Sequence, residues 1–195
     1  MSGHLEGCSI VAVVGSPRPA GNTALLVDAA LAELAARGAG VRKVSLGDYA
    51  IAPCQGHEGC AGFAFCPHRD DAEEVLDAVY AADGLILASP VYYENVTAQM
   101  KAFMDRNVFR YNRDQWLAAR AVGLLAVTAE TGLDDALAAM RRYVALSTTH
   151  DVPLVSAAVI ADGMGAVAGQ PESLAAAGRS GGADDPGLRD DGGDG

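Results

Sequence analysis

SIVAVVGSPRPAGNT, from Ser9 to Thr23, is the stretch on which the fold turns. It opens with a β-branched apolar run that stops at Gly15, Ser16 and Pro17, and beyond Asn22 the apolar residues Val27, Leu31 and Leu34 recur at helical spacing. Strand, loop and helix in that order place backbone N–H groups, hydroxyls and the Arg18 guanidinium around the positive end of a helix dipole, which makes a phosphate site. The loop has neither the G-x-G-x-x-G of a dinucleotide fold nor the GK[ST] of a P-loop, so a monophosphate such as that of FMN suits it better than NAD or ATP. The competing reading is a plain strand-to-helix turn in which Ser and Asn act as caps and Arg18 is a solvated charge.

Working outward, Gly38 and Gly40 close the first helix and VRKVSL (Val41 to Leu46) begins a second strand. Asp70 and Asp71 open a helix from Ala72 to Ala81, and GLILASP (Gly84 to Pro90) is an apolar strand of the kind buried on both faces. A helix from Thr97 to Arg106, a strand from Ala121 to Thr128, a helix from Leu133 to Leu146 and a strand from Leu154 to Ile160 follow. This alternation predicts an α/β fold: a doubly wound sheet of five parallel strands in a three-layer α/β/α arrangement, with a ligand crevice at the carboxyl ends of the strands. A short helix, Pro171 to Ala177, is expected to end a single domain over 1–177. The stretch 178–195 holds seven Gly and five Asp and reads as a disordered tail.

A chain of 195 residues, half of them apolar, can bury one α/β-sized core. A formal net charge of -11 with no cluster of Lys and Arg argues against a nucleic-acid or anionic-membrane partner. No basic segment precedes the apolar run Ile10 to Val14 and no uncharged apolar stretch is long enough to span a bilayer, so the expectation is a cytoplasmic protein. Thiols stay reduced in that compartment, where a tight cysteine group is a metal or redox site more often than a disulfide framework.

Such a group exists in PCQGHEGCAGFAFCPHRDD, Pro53 to Asp71, where Cys54, His57, Cys60 and Cys66 follow C-x2-H-x2-C-x5-C. Three thiolates and an imidazole suit a structural zinc. They also suit an iron-sulfur cluster, in which His can replace Cys. A loop without metal is the third reading. Three ligands at intervals of three along one loop are more the habit of a cluster than of zinc, which prefers two separated knuckles. His68 is an alternative ligand or a solvated loop histidine. His4 and His150 receive no role, and Cys8 reads as a small packed residue.

GSPRPAGNT, the DD pair at Asp70, ASPVYYENVTAQMKAFMDR (Ala88 to Arg106) and VTAETG (Val127 to Gly132) together resemble the NAD(P)H-dependent FMN reductase family, of flavodoxin-like fold, over about Ile10 to Ile160. The resemblance implies that Ser16, Arg18, Asn22 and Thr23 hold the FMN phosphate. It also implies that Pro90, Val91, Tyr92, Tyr93, Glu94 and Asn95 line the isoalloxazine, and that Thr128, Ala129, Glu130 and Gly132 close its other side. Within the family the chain is most similar to the iron-sulfur flavoproteins, whose four cysteines bind a 4Fe-4S cluster at these spacings. Here His57 stands in place of the second cysteine.

The expected activity is a flavin-dependent oxidoreductase that takes electrons from NAD(P)H, or from a redox partner through the cluster, and passes them to a small-molecule acceptor such as a quinone or a biosynthetic intermediate. The alternative is a flavodoxin-type electron carrier without its own substrate, although the T-x-T-G-x-T loop usual in such carriers is absent. Glu94 and Glu130 are candidate proton relays or solvated loop carboxylates. VFRYNRDQW, Val108 to Trp116, is rich in aromatic residues and Arg, which marks it as a homodimer or homotetramer interface or as a pocket wall within one chain.

Overall fold

The computed structural model describes residues 5–173. Five strands, β1 (Ser9–Val14), β2 (Gly40–Ser45), β3 (Gly84–Pro90), β4 (Ala121–Thr128) and β5 (Leu154–Ile160), form one sheet in the order β2-β1-β3-β4-β5. Every pairing is parallel. This is the doubly wound order of flavodoxin-like folds, and it puts the loops that follow all five strands on one edge.

Helices α1 (Asn22–Ala36), α2 (Ala72–Ala81), α3 (Ala98–Arg106), α4 (Val108–Tyr111) and α5 (Leu133–Ser147) cover the sheet. Strand alternation divides the core. Ile10, Ala12 and Val14 face Leu26, Val27, Leu31 and Leu34 of α1, while Val11 and Val13 belong to the core of the opposite face with Val75, Leu76 and Val79 of α2, Met100 and Phe103 of α3, and Met140 of α5. The central strands β3 and β4 are buried on both faces, as their unbroken apolar runs predict.

The expected fold class is observed. Strand boundaries agree to within a residue, and Thr97, read as the first helical residue, is the N-cap of α3, its side chain accepting from Met100 N. The four-residue α4 is additional. The expected final helix continues beyond 173 and the tail lies wholly beyond it, so both fall outside the described residues apart from positions 171–173. No helix among the described residues is long and apolar enough to cross a membrane.

Candidate functional site

The helix that follows β1 begins without a cap. Gly21 precedes α1 with no side-chain hydrogen bond, and the first turn holds no acidic residue. The starts of α2 and α5 carry Glu73 and Glu74, and Asp134 and Asp135. In a chain of net charge -11, α1 thus keeps the positive end of its dipole and its first N–H groups for an external anion.

Around that end the structure opens a cleft of about 290 Å³. It brings together Ser16, Arg18, Asn22 and Thr23 from the β1 loop, Pro90, Val91 and Tyr92 from the end of β3, and Thr128 and Ala129 from the end of β4. Arg18 is exposed, and among the described residues its guanidinium has no ion pair or hydrogen bond, so it is free to meet a phosphate. Ser16 is buried, and its Oγ accepts from Arg18 N at 3.1 Å, fixing the loop.

Asn22 is engaged elsewhere. Its Nδ2 donates to Gly163 O at 2.9 Å and its Oδ1 accepts from Val167 N at 3.3 Å, so its side chain ties the loop after β5 to α1 while its backbone N–H stays at the helix start. That loop supplies Ala161, Asp162, Gly163 and Met164 to the cleft. The sequence reading passed over these four residues, although a crevice along the carboxyl ends of the strands predicts a contribution from β5.

Tyr93, Glu94, Asn95, Glu130 and Gly132 stand outside the cleft wall. Tyr92 and Asn95 pair across a two-residue turn, Tyr92 N to Asn95 O at 2.8 Å and Asn95 N to Tyr92 O at 3.2 Å. Tyr93 and Glu94 at its tip have φ of 50° and 61°, a left-handed conformation that costs about 1–2 kcal/mol for each non-glycine residue. The neighbouring loop holds the turn in place. Thr131 Oγ1 donates to Glu94 Oε1 at 2.6 Å, and Gly132, at φ +83°, lies so close that a Cβ there would fall 2.7 Å from Glu94 Cα. Tyr93 itself is fully exposed.

The cysteine loop follows β2 and leaves the same sheet edge. Cys54, His57, Cys60 and Cys66 line one cavity of about 140 Å³, and His68 lines it too. Each thiol accepts a hydrogen bond: Cys54 from Gly56 N at 3.4 Å, Cys60 from Asn112 Nδ2 at 3.2 Å, and Cys66 from Arg106 Nη2 at 3.3 Å. Arg106 is 2% exposed. Its Nη1 also pairs with Asp70 Oδ2 at 2.6 Å and donates to Ala52 O at 3.2 Å. Burial pushes the Asp70 carboxyl up, but hydrogen bonds from Arg106 and from the N–H groups of Ala52 and Ala72 outweigh it and hold the group below its usual range.

The segment after α3 forms the wall of this loop. Arg113 donates to the carbonyls of Ala61 and Phe63, Arg110 pairs with Glu73 at 2.7 Å and Asp77 at 2.6 Å, and Phe109 is buried. A single zinc ion needs all its donors about 2.0–2.3 Å from one point. Among the described residues no three His, Cys, Asp or Glu side chains converge in that way. A cluster takes one protein ligand on each of several irons, so its donors stand apart around a shared space. Three thiols and two imidazoles lining one cavity are the donor types such a cluster takes.

The chain is 45% identical over 98 residues to an iron-sulfur flavoprotein of Methanocaldococcus jannaschii, a match covering 50% of this chain and 51% of that protein. It is 41% identical over 128 residues to an iron-sulfur flavoprotein of Archaeoglobus fulgidus, covering 66% of this chain and 58% of the relative. The chain thus spans a little over half the length of these curated relatives. Among solved structures, an NAD(P)H:quinone oxidoreductase from Methanothermobacter marburgensis superposes with a TM-score of 0.69 at 16% identity, over 89% of this chain and 95% of that one, which is a likeness of fold. The sequence from residue 8 to residue 163 matches the NADPH-dependent FMN reductase family, and the chain belongs to that family.

Proposed function

We propose that this protein is a flavin-dependent oxidoreductase that binds FMN in the cleft over the start of α1, takes electrons from NAD(P)H or a redox partner, and passes them to a small acceptor. The observation that carries the reading is the convergence of an uncapped, acid-free helix start, the unpaired Arg18 and the loops after β1, β3, β4 and β5 on one cleft. FMN supplies hydride or single-electron transfer. The chain's own residues supply the grip. Arg18 and the N–H groups of Asn22 and Thr23 neutralise the phosphate, with Ser16 holding their loop in shape. Pro90, Val91 and Tyr92 form one side of the ring site and Thr128 and Ala129 the other, while Tyr93, Glu94, Asn95, Glu130 and Gly132 stand outside the wall in the loops that carry it. Glu94, held by Thr131, braces these two loops against each other.

The cysteine loop extends the proposal. Cys54, Cys60 and Cys66 with an imidazole, for which the sequence nominates His57, would hold a 4Fe-4S cluster that relays electrons to or from the flavin. Both sites leave the same sheet edge. We further propose a homodimer or homotetramer, supported by exposed Phe63, Phe65, Val108 and Tyr111 on and beside the cysteine loop. Light scattering at micromolar concentration tests it, and a monomer mass refutes it.

An absorbance scan of freshly purified protein, followed by NAD(P)H oxidation with a quinone acceptor, tests the main reading. Protein that is colourless and takes up no added FMN overturns it. Bound flavin without NAD(P)H oxidation replaces it with an electron carrier.

A further inference from the structure

His57 is the histidine that the cysteine spacing nominates, yet it is exposed, whereas His68 is half-buried. His68 Nε2 is buried and has no hydrogen-bond partner among the described residues. The two rings meet edge to face, with centroids 5.8 Å apart and planes at 75°, so both flank one space, His57 as an exposed residue and His68 with its Nε2 buried. A buried polar nitrogen without a partner is uncommon in a native structure and calls for something that binds it. The cavity His68 lines is the one lined by Cys54, Cys60 and Cys66. Histidine ligates metals through either ring nitrogen.

We infer that His68 Nε2, rather than His57, is the nitrogen ligand that completes the set with Cys54, Cys60 and Cys66. This rests on the proposal that the loop holds an iron-sulfur cluster. His57 then covers the outer side of the cavity, its ring against that of His68. The ligand spacing becomes C-x5-C-x5-C-x-H, with the imidazole two residues past the last thiolate.

The test is anaerobic reconstitution of the full chain with ferrous iron and sulfide, using wild type, His57→Ala, His68→Ala and His68→Cys. Iron and sulfide content and nitrogen hyperfine coupling in the reduced protein are the readouts, with FMN content as the check of folding. Wild type and His57→Ala should carry equal iron and show nitrogen coupling. His68→Ala should lose at least half of its iron, and His68→Cys should keep its iron but lose the nitrogen coupling. Nitrogen coupling that survives in His68→Cys and disappears in His57→Ala overturns the assignment while leaving the cluster in place, as does a coupling absent from wild type. Wild type that holds FMN but neither iron nor sulfide overturns the cluster reading, and this assignment with it.

Discussion

Arg106 Nη2 donates to Cys66 Sγ at 3.3 Å while Nη1 of the same guanidinium pairs with Asp70 at 2.6 Å, so one buried cation joins the last cysteine of the loop to the start of α2. Removing it would strand Asp70, whose side chain is 13% exposed. Arg106→Met should cost about 3–5 kcal/mol, because breaking a buried pair from one side leaves an uncompensated charge. The double variant Arg106→Met with Asp70→Asn should recover part of that loss. Urea denaturation of the three proteins checks it, and equal stabilities of single and double variants would refute the coupling.

The same pair sets an acid response. The carboxyl of folded Asp70 lies below its ordinary 3.8, so its stabilisation is complete above that value and is lost as pH falls from there through the folded-state value. Asp70→Asn should therefore flatten the stability profile below pH 3.8, measured by denaturation at stepped pH, and leave its slope near neutrality unchanged.

Arg18→Ala should weaken FMN binding by about 1.5–3 kcal/mol, roughly ten- to a hundredfold, through loss of a charge-assisted bond to phosphate. Asn22→Ala should act differently, because that side chain ties the β5 loop at Gly163 and Val167 rather than facing the cleft. It should lower stability by about 1 kcal/mol for the hydrogen bonds lost. Fluorescence titration of FMN and urea melts separate the two effects.

Glycines in the two cleft loops should respond unequally to alanine. Gly163 has φ +87° with nothing among the described residues within 4 Å of a Cβ, so Gly163→Ala should cost only the left-handed strain, about 1–2 kcal/mol. At Gly132 the same strain is joined by contacts of 2.7 Å to Glu94 Cα and Val91 Cγ1, which should add about another 1–3 kcal/mol of overpacking and displace the Tyr93 turn. Thermal melts of the two variants compare them directly.

Tyr80 is held protonated to an unusual degree. Burial pushes its phenol up to about 12 despite its hydrogen bond to Asn107, at 2.5 Å. A raised folded-state value means stability that is whole below the ordinary 10.0 and is lost as pH rises toward 12. Tyr80→Phe should reduce the loss of stability over that interval, read from denaturation midpoints in alkaline buffers.

Strand and helix positions were legible because β-branched runs and helical spacing report local periodicity, and the parallel order follows from their alternation. The loop between β1 and α1 was legible as a loop because it is contiguous. What escaped depends on distance in sequence. Asp162 to Met164 reach the cleft because β5 lies beside β4, and the side chain of Asn22 turns away because Gly163 stands 141 residues further on. His57 stood out through its spacing to the cysteines, whereas the buried Nε2 of His68 is a property of packing that no spacing encodes. The short α4 escaped for another reason: one turn of helix is too brief for a period, and Arg110 and Arg113 are fixed by partners on α2 and the cysteine loop.

Helix α3 touches both candidate sites. Thr97 at its N-terminus donates to Gly15 O at 2.6 Å in the loop after β1, and Arg106 at its C-terminus holds Cys66. It therefore works as a ruler between the two, and a ruler fails by the residue. One amino acid inserted within it would advance Arg106 by about 1.5 Å and turn it by about 100°, away from both Cys66 and Asp70. Between Pro53 and Cys66, where backbone is mostly exposed and irregular, an added residue can be absorbed as a wider bend. An inserted residue should therefore destabilise the protein far more in α3 than in the loop, a difference that urea denaturation of the two insertion variants measures.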